Sequence, residues 1–239
     1  MQPPVPAAPQ AAPAPVVLIT RPQPAAERFA GQIADLGLTA VLAPLMRIVP
    51  VAHDPAVIAA AQGVVLTSEN AAPFAGAGRG RPAICVGPRT AQQAAAAGFR
   101  VTQGPGDAAG MMPMLADLGP GWLHVRGAEV AAELPLPGIV VYRQQALALS
   151  QAARALVQGT APVILPLFSP RAAALAAAAV TDSRAPLWIA PISAAAAAAW
   201  DGAAPPGAAS RRSIAPTPDA TGVRRAIDEL LGTQSRGAG

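Results

Sequence analysis

The sequence contains no lysine, a single cysteine and few aromatic residues. Its 17 basic residues are all arginine, against 13 acidic residues, and the formal net charge is +4. A lone cysteine, Cys85, excludes an internal disulfide framework and a multi-thiolate metal site. The arginines are scattered and stacking side chains are scarce, so we expect no nucleic-acid partner. Because the arginine guanidinium can bind a carboxylate or phosphate through two parallel hydrogen bonds, an anionic ligand is favoured.

The chain also has no long run of large apolar residues. Hydrophobic residues make up 52% of the 239 positions, but many are alanine, so we expect the core to come from valine, leucine and isoleucine. No membrane span is predicted, and no membrane partner. The single cysteine favours a cytoplasmic protein, and the start lacks the basic and apolar regions of a secretory signal. We expect flexible ends at residues 1–15, rich in proline and alanine, and at 232–239.

A β-α-β pattern opens the folded part of the chain. VVLIT from Val16 predicts a strand, residues 25–37 predict a helix closed by Gly37, and residues 38–44 predict a second strand. The next segment, residues 45–53, carries arginine and proline, so it suits a connecting strand better than the centre of a sheet.

A unit of alternating strands and helices then occurs twice. In the first copy, GVVLTSENAAPF predicts a strand with a helix behind it, and PAICVGP and RTAQQAAAAG predict a second such pair. The second copy repeats this order from Pro162 to Trp200, with Ser169 where the first copy has Ser68. Each copy ends in a helix opened by Asp-Ala, at Asp107 and at Asp219.

Strands that alternate with helices indicate parallel sheets with ligands at the carboxyl ends of the strands. We therefore predict a flavodoxin-like α/β protein of two lobes, each a parallel sheet flanked by helices, joined by a two-stranded linker that acts as a hinge. The predicted boundaries are 16–44 with 151–231 for a discontinuous domain 1, 54–139 for an inserted domain 2, and 45–53 and 140–150 for the linker strands.

Short motifs carry a resemblance to a known family. They are LITRP at 18–22, LAPLMRI at 42–48, LTSENA at 66–71, VGPRTA at 86–91, HVRG at 124–127, VVYR at 140–143, FSPRAA at 168–173 and PT at 217–218. Their order and spacing are specific together, and on them the chain resembles uroporphyrinogen-III synthase from Val16 to about Leu231. The resemblance implies an active site in a cleft between two lobes, with no metal or organic cofactor.

The implied reaction closes the linear tetrapyrrole hydroxymethylbilane to uroporphyrinogen III, inverting the last pyrrole ring through a spiro intermediate. The eight carboxylates of this substrate agree with the arginine-only basic composition. Such a reaction needs a donor that helps the hydroxyl leave, anchors for the carboxylates, and a shape that directs closure to the substituted ring carbon. We expect a monomer acting on this small molecule. His53 and His124 stand apart without metal-ligand spacing.

Tyr142, the only tyrosine, matches the family's candidate proton donor. An uncharged phenol can donate a hydrogen bond to the leaving oxygen. The alternative is an amphipathic tyrosine at a domain boundary with its hydroxyl in water.

Polar side chains at strand ends and helix starts are the candidate carboxylate anchors. The predicted substrate-binding residues are Arg21, Thr67, Ser68, Asn70, Arg89, Thr90, Arg126, Gly127, Ser169, Arg171, Ser193 and Thr217. Plain helix capping is the alternative for Ser68 and Ser169. Arg21, Arg126 and Arg171 together would form a carboxylate clamp.

Matching Ser193 with Thr90 places Ile192 where the first copy has Arg89, and Ala190 stands where the family usually has glycine. These departures keep open an alternative function, a two-lobed protein that binds a tetrapyrrole or polycarboxylate without turnover. A nucleotide-binding protein ranks last, because GAGRG at 76–80 follows a predicted helix and lacks the phosphate-binding lysine.

Overall fold

The computed structural model describes residues 13–130 and 132–235, which divide into two compact units. Unit 1 holds the described residues up to Arg47 and from Ala146 onward, and unit 2 is Ile48–Gln145. Both divisions fall inside segments that the sequence assigns to linker strands. No helix within the described ranges is long and apolar enough to cross a membrane.

Eleven strands and eight α-helices occur in the described residues. The strands are β1 (Val16–Ile19), β2 (Thr39–Leu42), β3 (Met46–Pro50), β4 (Gly63–Leu66), β5 (Pro82–Cys85), β6 (Arg100–Gln103), β7 (Trp122–Gly127), β8 (Gly138–Ala146), β9 (Val163–Leu167), β10 (Leu187–Pro191) and β11 (Ala209–Arg212). The helices are α1 (Gln23–Gln32), α2 (Pro55–Ala60), α3 (Pro88–Ala96), α4 (Ala108–Leu115), α5 (Gln151–Val157), α6 (Pro170–Ala179), α7 (Ala194–Ala203) and α8 (Ala220–Ser235).

Unit 1 is a five-stranded sheet in the order β11-β10-β9-β1-β2, and its pairings are parallel. Alternate residues of β1 face opposite sides: Leu18 packs with α5, α6 and α7, whereas Val17 and Ile19 pack with α1 and α8. Helices α6 and α7 bury almost only alanine on their packed faces, apart from Trp200. The sheet is therefore covered by helices on both faces, as the sequence pattern predicts.

Unit 2 contains the six-stranded sheet β3-β8-β7-β4-β5-β6. Strands β4, β5, β6, β7 and β8 pair in parallel. The edge strand β3 lies beside β8. Residues of α2 and α3 pack on one face, and α4 packs on the other through Met111 and Leu115. Cys85 is buried in this core, and burial raises the pKa of its thiol to about 11. The predicted class, α/β with parallel sheets flanked by helices, is confirmed.

The internal repeat is visible in the topology of the two sheets. Strands β6-β5-β4-β7-β8 of unit 2 follow the same order as β11-β10-β9-β1-β2 of unit 1. Equivalent helix starts are built alike: the Asp107 side chain accepts from the Gly110 amide at 2.7 Å, and the Asp219 side chain accepts from the Gly222 amide at 2.7 Å.

The backbone hydrogen bonds and helix N-caps of the structure correct the alignment of the two copies at the second strand-to-helix turn of each copy. The Val86 amide donates to the Leu66 carbonyl, and the Ile192 amide donates to the Leu167 carbonyl in the same way. Gly87 and Ser193 are the N-cap residues of α3 and α7. Ile192 therefore matches Val86, not Arg89, and Ala190 matches Ile84 within the strand. The expectation that Ile192 stands where the first copy has Arg89 is wrong, and the departure from the family glycine at Ala190 stays a prediction.

The helix predicted behind Thr67 and Ser68 is also wrong. After β4 the chain forms bends and a single 3-10 turn, Ala72–Phe74. Proline at position 73 has no amide hydrogen and disfavours helical backbone in the preceding residue. Three glycines follow within seven residues, and Gly76 has φ +70°, so the segment ends before an α-helix can propagate.

Sequence patterns missed α2, β6, α5 and β11, which are short. At the carboxyl end, α8 continues through residues 232–235, which the sequence assigned to a flexible end. Residues 13–15 have no regular secondary structure. The rest of the predicted flexible ends, 1–12 and 236–239, lie outside the described residues.

Gly222→Ala should destabilise the protein, because a Cβ at this position would overlap the Thr217 carbonyl, a backbone group that cannot simply rotate away. We expect a loss of roughly 1–3 kcal/mol in the free energy of unfolding. The matched control is Gly202→Ala in α7, where a Cβ meets nothing within 4 Å and stability should rise slightly. Urea denaturation measures the free energy of unfolding of both variants, and an equal change in the two would contradict the prediction.

Candidate functional site

In unit 2, three adjacent strands bring the predicted catalytic and binding residues to one edge of the sheet. Strand β4 lies between β5 and β7, and β7 pairs with β8. Gly127, the last residue of β7, is opposite Tyr142 of β8. Thr67 and Ser68 directly follow β4. Because carboxyl ends of parallel strands meet at one edge, these residues form a single polar group.

The Tyr142 ring is buried, with 2% of the residue exposed. A Cβ on Gly127 would stand 2.7 Å from the ring carbon Cζ and 2.9 Å from the hydroxyl oxygen, so the ring occupies space that only glycine leaves open. The Phe74 ring is nearly parallel to the Tyr142 ring, with ring centroids 6.3 Å apart. The hydroxyl is therefore held in one place instead of lying free in water.

The Tyr142 hydroxyl is protonated at neutral pH. Burial raises the pKa of Tyr142, and the negative charge of Glu129 adds to this effect. Hydrogen bonds with the Ser68 and Asn70 side chains act in the opposite direction, because they favour the phenolate. The group is thus a hydrogen-bond donor with two polar neighbours ready to stabilise charge that develops on its oxygen.

Ser68 and Asn70 are placed by the turn after β4. The Ser68 Oγ accepts a hydrogen bond from the Asn70 amide at 3.2 Å. This local bond folds the turn two residues after the strand and brings both side chains to Tyr142.

His124 supports Thr67 from within the sheet. Its Nε2 lies 2.9 Å from the Thr67 Oγ1, and only 2% of His124 is exposed. Burial and the nearby positive charge of Arg126 lower the pKa of His124 from 6.5 to about 4. The ring is therefore neutral at pH 7 and fixes the Thr67 hydroxyl. No group of three potential metal-ligating side chains occurs in the part of the chain that the structure describes.

Arg126 is tied to its own strand end. Its Nη1 donates to the Gly127 carbonyl at 3.2 Å, and its Nη2 lies 3.8 Å from Glu133. The buried Nε has no hydrogen-bond partner among the described residues. Because Nε is buried beside Gly138, only the terminal nitrogens of this guanidinium can reach an anion.

Arg89 and Thr90 are less available than the sequence suggests. The Arg89 Nε lies 3.4 Å from the Glu69 carboxylate, and its Nη1 donates to Gln92 at 2.6 Å. Glu69 therefore offsets the charge that was expected to attract substrate. Thr90 is buried on the packed face of α3. Substrate contact by either residue stays a prediction.

In unit 1, the predicted residues follow the carboxyl ends of β1, β9, β10 and β11. The guanidinium carbon of Arg21 lies 3.8 Å from the centre of the Phe168 ring, a cation–π contact. Phe168 in turn packs edge-on against Phe29. Arg171, in the first turn of α6, is exposed. Arg21 is therefore a fixed cation beside the Ser169 turn.

Two of the predicted hydroxyl residues of unit 1, Ser169 and Ser193, are helix N-caps. Ser169 accepts from the Ala172 amide at 3.1 Å, and Ser193 accepts from the Ala196 amide at 3.3 Å. The Thr217 hydroxyl donates to Asp219. A serine that accepts from a helix amide still has its own hydrogen to donate, so capping and carboxylate binding are compatible at Ser169 and Ser193.

Four neighbours of these residues were not predicted to act in the site: Phe74, Glu129, Phe168, and His124, which was considered only as a metal ligand. Two of them had a visible signal. His124 alternates with Arg126 along β7, so the two share a face of the strand. Phe168 directly precedes Ser169 in the motif FSPR. Glu129 and Phe74 come from loops, where no periodicity points to their direction.

These features define a class: α/β proteins whose parallel sheets present hydroxyls, helix N-termini and arginines at their carboxyl edges, with one buried tyrosine. The family model described as uroporphyrinogen-III synthase HemD matches residues 27–201. The chain belongs to this family, and the resemblance seen in the sequence motifs is confirmed.

Solved structures agree on the fold. A uroporphyrinogen-III synthetase from Helicobacter pylori 26695 is 15% identical with a TM-score of 0.60, over 90% of this chain and 99% of that one. A mutant uroporphyrinogen III synthase from the extremely thermophilic bacterium Thermus thermophilus is 14% identical with a TM-score of 0.53, over 92% and 99%. No curated protein matches.

The low pKa of His124 predicts a specific loss of stability in mild acid. Between pH 6.5 and 4 the unfolded chain binds a proton at His124 that the folded protein does not. The free energy of unfolding should therefore fall as the pH falls through this window, by about 3 kcal/mol in total.

Urea denaturation between pH 4 and 7.5 measures this loss, and His124→Gln should remove it. The free energy of unfolding of the variant should therefore rise relative to that of the wild type as the pH falls below 6.5. His53→Gln is the control, because it leaves His124 in place and should keep the wild-type fall. Parallel curves for wild type and His124→Gln would show that this histidine does not carry the effect.

Proposed function

We propose that this chain is a uroporphyrinogen-III synthase that closes hydroxymethylbilane to uroporphyrinogen III, with Tyr142 as its donor. The family supports the reaction, and one observation supports the residue: the only tyrosine is buried, protonated and hydrogen-bonded to Ser68 and Asn70 at the carboxyl edge of the unit 2 sheet.

The role of Tyr142 follows from its environment. The C–O bond of the substrate's hydroxymethyl group breaks, the oxygen takes a proton from solvent and leaves as water, and an azafulvenium cation remains. Because burial raises the pKa of Tyr142, full proton loss is unfavourable, and the phenol acts chiefly by donating a hydrogen bond to the leaving oxygen. Hydrogen bonds from Ser68 and Asn70 stabilise the negative charge that then builds on the phenol oxygen.

Ring closure follows by attack of the substituted pyrrole carbon of the last ring on this cation. The bond formed gives a spiro intermediate, which reopens and recloses to invert that ring, and loss of a ring proton restores the aromatic pyrrole. The proton released balances the one taken up with the leaving hydroxyl. The protein's part is to hold the chain in the geometry of attack, since the pyrrole itself is electron-rich.

We propose the carboxyl edge of each sheet as the source of carboxylate anchors. In unit 1, Ser169 and Ser193 stand at the starts of α6 and α7, where free amides and the helix dipole attract anions. Arg21 and Arg171 add charge. In unit 2, Thr67, Ser68 and the partly unsatisfied Arg126 take the same role.

A binding protein without turnover stays the alternative, and its support is the departure at Ala190 and the few polar groups of the second copy. Ile192 no longer supports it, because the hydrogen-bond register matches this residue with Val86 instead of Arg89. We also propose that the enzyme works in the cytoplasm as a monomer, because each unit has its own core and the one thiol, Cys85, is buried in its strand.

The deciding experiment gives freshly generated hydroxymethylbilane to the purified protein and resolves the oxidised products by isomer. Predominance of isomer III is expected, because the unassisted reaction gives isomer I. Isomer I alone, formed at the rate seen without protein, would reject the synthase and leave the binding protein as the interpretation.

Tyr142→Phe should lower kcat by roughly 10²-fold, the low end of general-acid contributions, because the ring is kept and only the donor is lost. The isomer III assay measures this, with KM expected to change little. An unchanged kcat would assign Tyr142 a packing role.

Ser68→Ala should also lower kcat, by roughly tenfold, through the lost hydrogen bond to Tyr142. Its matched control is Ser150→Ala, which removes a capping hydroxyl at the start of α5. Each variant removes one hydroxyl that accepts from a backbone amide, in a turn for Ser68 and at a helix N-cap for Ser150, and should lose about 1 kcal/mol of stability, so only the rate separates them. Equal rates for the two variants would remove Ser68 from the mechanism.

A further inference from the structure

A separate cavity of about 130 Å³ opens in unit 2 between α2 and the segment that follows the 3-10 turn. Its apolar wall includes Ile58, Ala59, Phe74 and Ala77, and two arginines, Arg79 and Arg81, complete it. None of the described lining residues carries a carboxylate. We call it the Arg79 pocket.

Arg81 is a fixed cation in this wall. Its Nη1 donates to the carbonyls of Ile58 and Ala61, at 2.7 and 3.0 Å, and its other nitrogens donate to the carbonyls of Ala77 and Gly78. Carbonyl oxygens satisfy its donors but bring no net negative charge. The pocket therefore has a positive potential that nothing in its described lining neutralises.

Arg79 has an unusual backbone. Its φ is +49°, the only positive value outside glycine in the described residues. Neighbouring bonds hold it there: the amides of Gly78 and Gly80 donate to the carbonyls of Ala97 and Gly98, at 2.7 and 2.8 Å. Glycine suits this conformation better than arginine does, so the backbone at position 79 is strained.

The Arg79 guanidinium has no hydrogen-bond or ion-pair partner within residues 13–130 and 132–235, so all of its donors are available to a ligand. The ligand must combine a negative head with a small apolar body, because the rest of the lining is alkyl and aromatic. The volume equals about four water molecules, close to the size of propionate.

We propose that the Arg79 pocket binds a carboxylate on a short apolar arm, with the head at Arg79 and the methylene carbons against Ile58 and Phe74. A free short-chain acid and a carboxylate arm of a tetrapyrrole share this chemistry; the second source rests on the proposed function. Phe74 also stacks on Tyr142, so an occupied pocket touches the wall of the tyrosine site.

The first test titrates the full chain with sodium propionate and follows the amide signals of Gly76, Gly78 and Gly80 by NMR. Saturable shifts are expected with propionate and none with propionamide, its neutral analogue. Shifts that do not saturate, or that propionamide reproduces, overturn the proposal.

Arg79→Gly separates the ligand from the fold. Glycine relieves the backbone strain, so the melting temperature should not fall, while propionate affinity should drop at least about tenfold with the loss of the charge-assisted bonds. Ala59→Phe should also block binding, by filling the pocket with both arginines kept. Arg184→Ala, which removes an exposed charge in unit 1, is the control and should bind as the wild type does. Unchanged affinity in Arg79→Gly overturns the proposal.

The last arm distinguishes the two sources by adding uroporphyrin, a stable octacarboxylate. Displacement of propionate assigns the pocket to a tetrapyrrole arm, and propionate binding without displacement assigns it to a free acid. Since propionate is tested without ring closure, saturable binding in a protein that forms no isomer III would reject the proposed function and leave the pocket standing.

Discussion

The packing of the Tyr142 ring on Gly127 is the contact on which the unit 2 site depends. Strands β7 and β8 are neighbours, and a residue with a side chain at position 127 would force the ring out of its place. With the ring seated, its hydroxyl meets Ser68 and Asn70 and is withdrawn from bulk water. The same burial that makes the phenol a weak acid therefore also gives it a defined direction.

A second set of contacts, made by His124 and Phe74, holds the groups around the Tyr142 hydroxyl in place. His124 lies one strand away from Tyr142 and holds Thr67, while Phe74 stacks with the tyrosine ring. Each of these groups is buried in the hydrophobic core or next to it. Positioning in this site is therefore a property of core packing, and a change several residues from the tyrosine can move the hydroxyl as effectively as a change at its side.

Regular periodicity explains what could be predicted. Buried parallel strands such as GVVL and PVILPL are continuous apolar runs, and their order with the helices is enough for the fold class. The motifs at Ser68 and Ser169 could likewise be placed directly after strands, whereas Tyr142, expected at a strand end, lies in the middle of β8 and is level only with the end of β7. In contrast, the segment after Ser68 has helical composition, but Pro73 and the glycines prevent a helix. Glu69 and Glu129 reach their partners through loops, and no sequence spacing reports such contacts.

The alanine-lined contact between α6 and α7 has a consequence for how this protein can change over time. Ala172, Ala173, Ala176 and Ala177 already have the smallest side chain that a helix tolerates well, so almost every replacement adds atoms to a close-packed face. Substitution at these positions is limited in both directions, because larger residues overpack the interface and glycine weakens the helix. We expect sequence divergence in unit 1 to accumulate on the outward faces of the helices, while this inner face stays nearly uniform in composition.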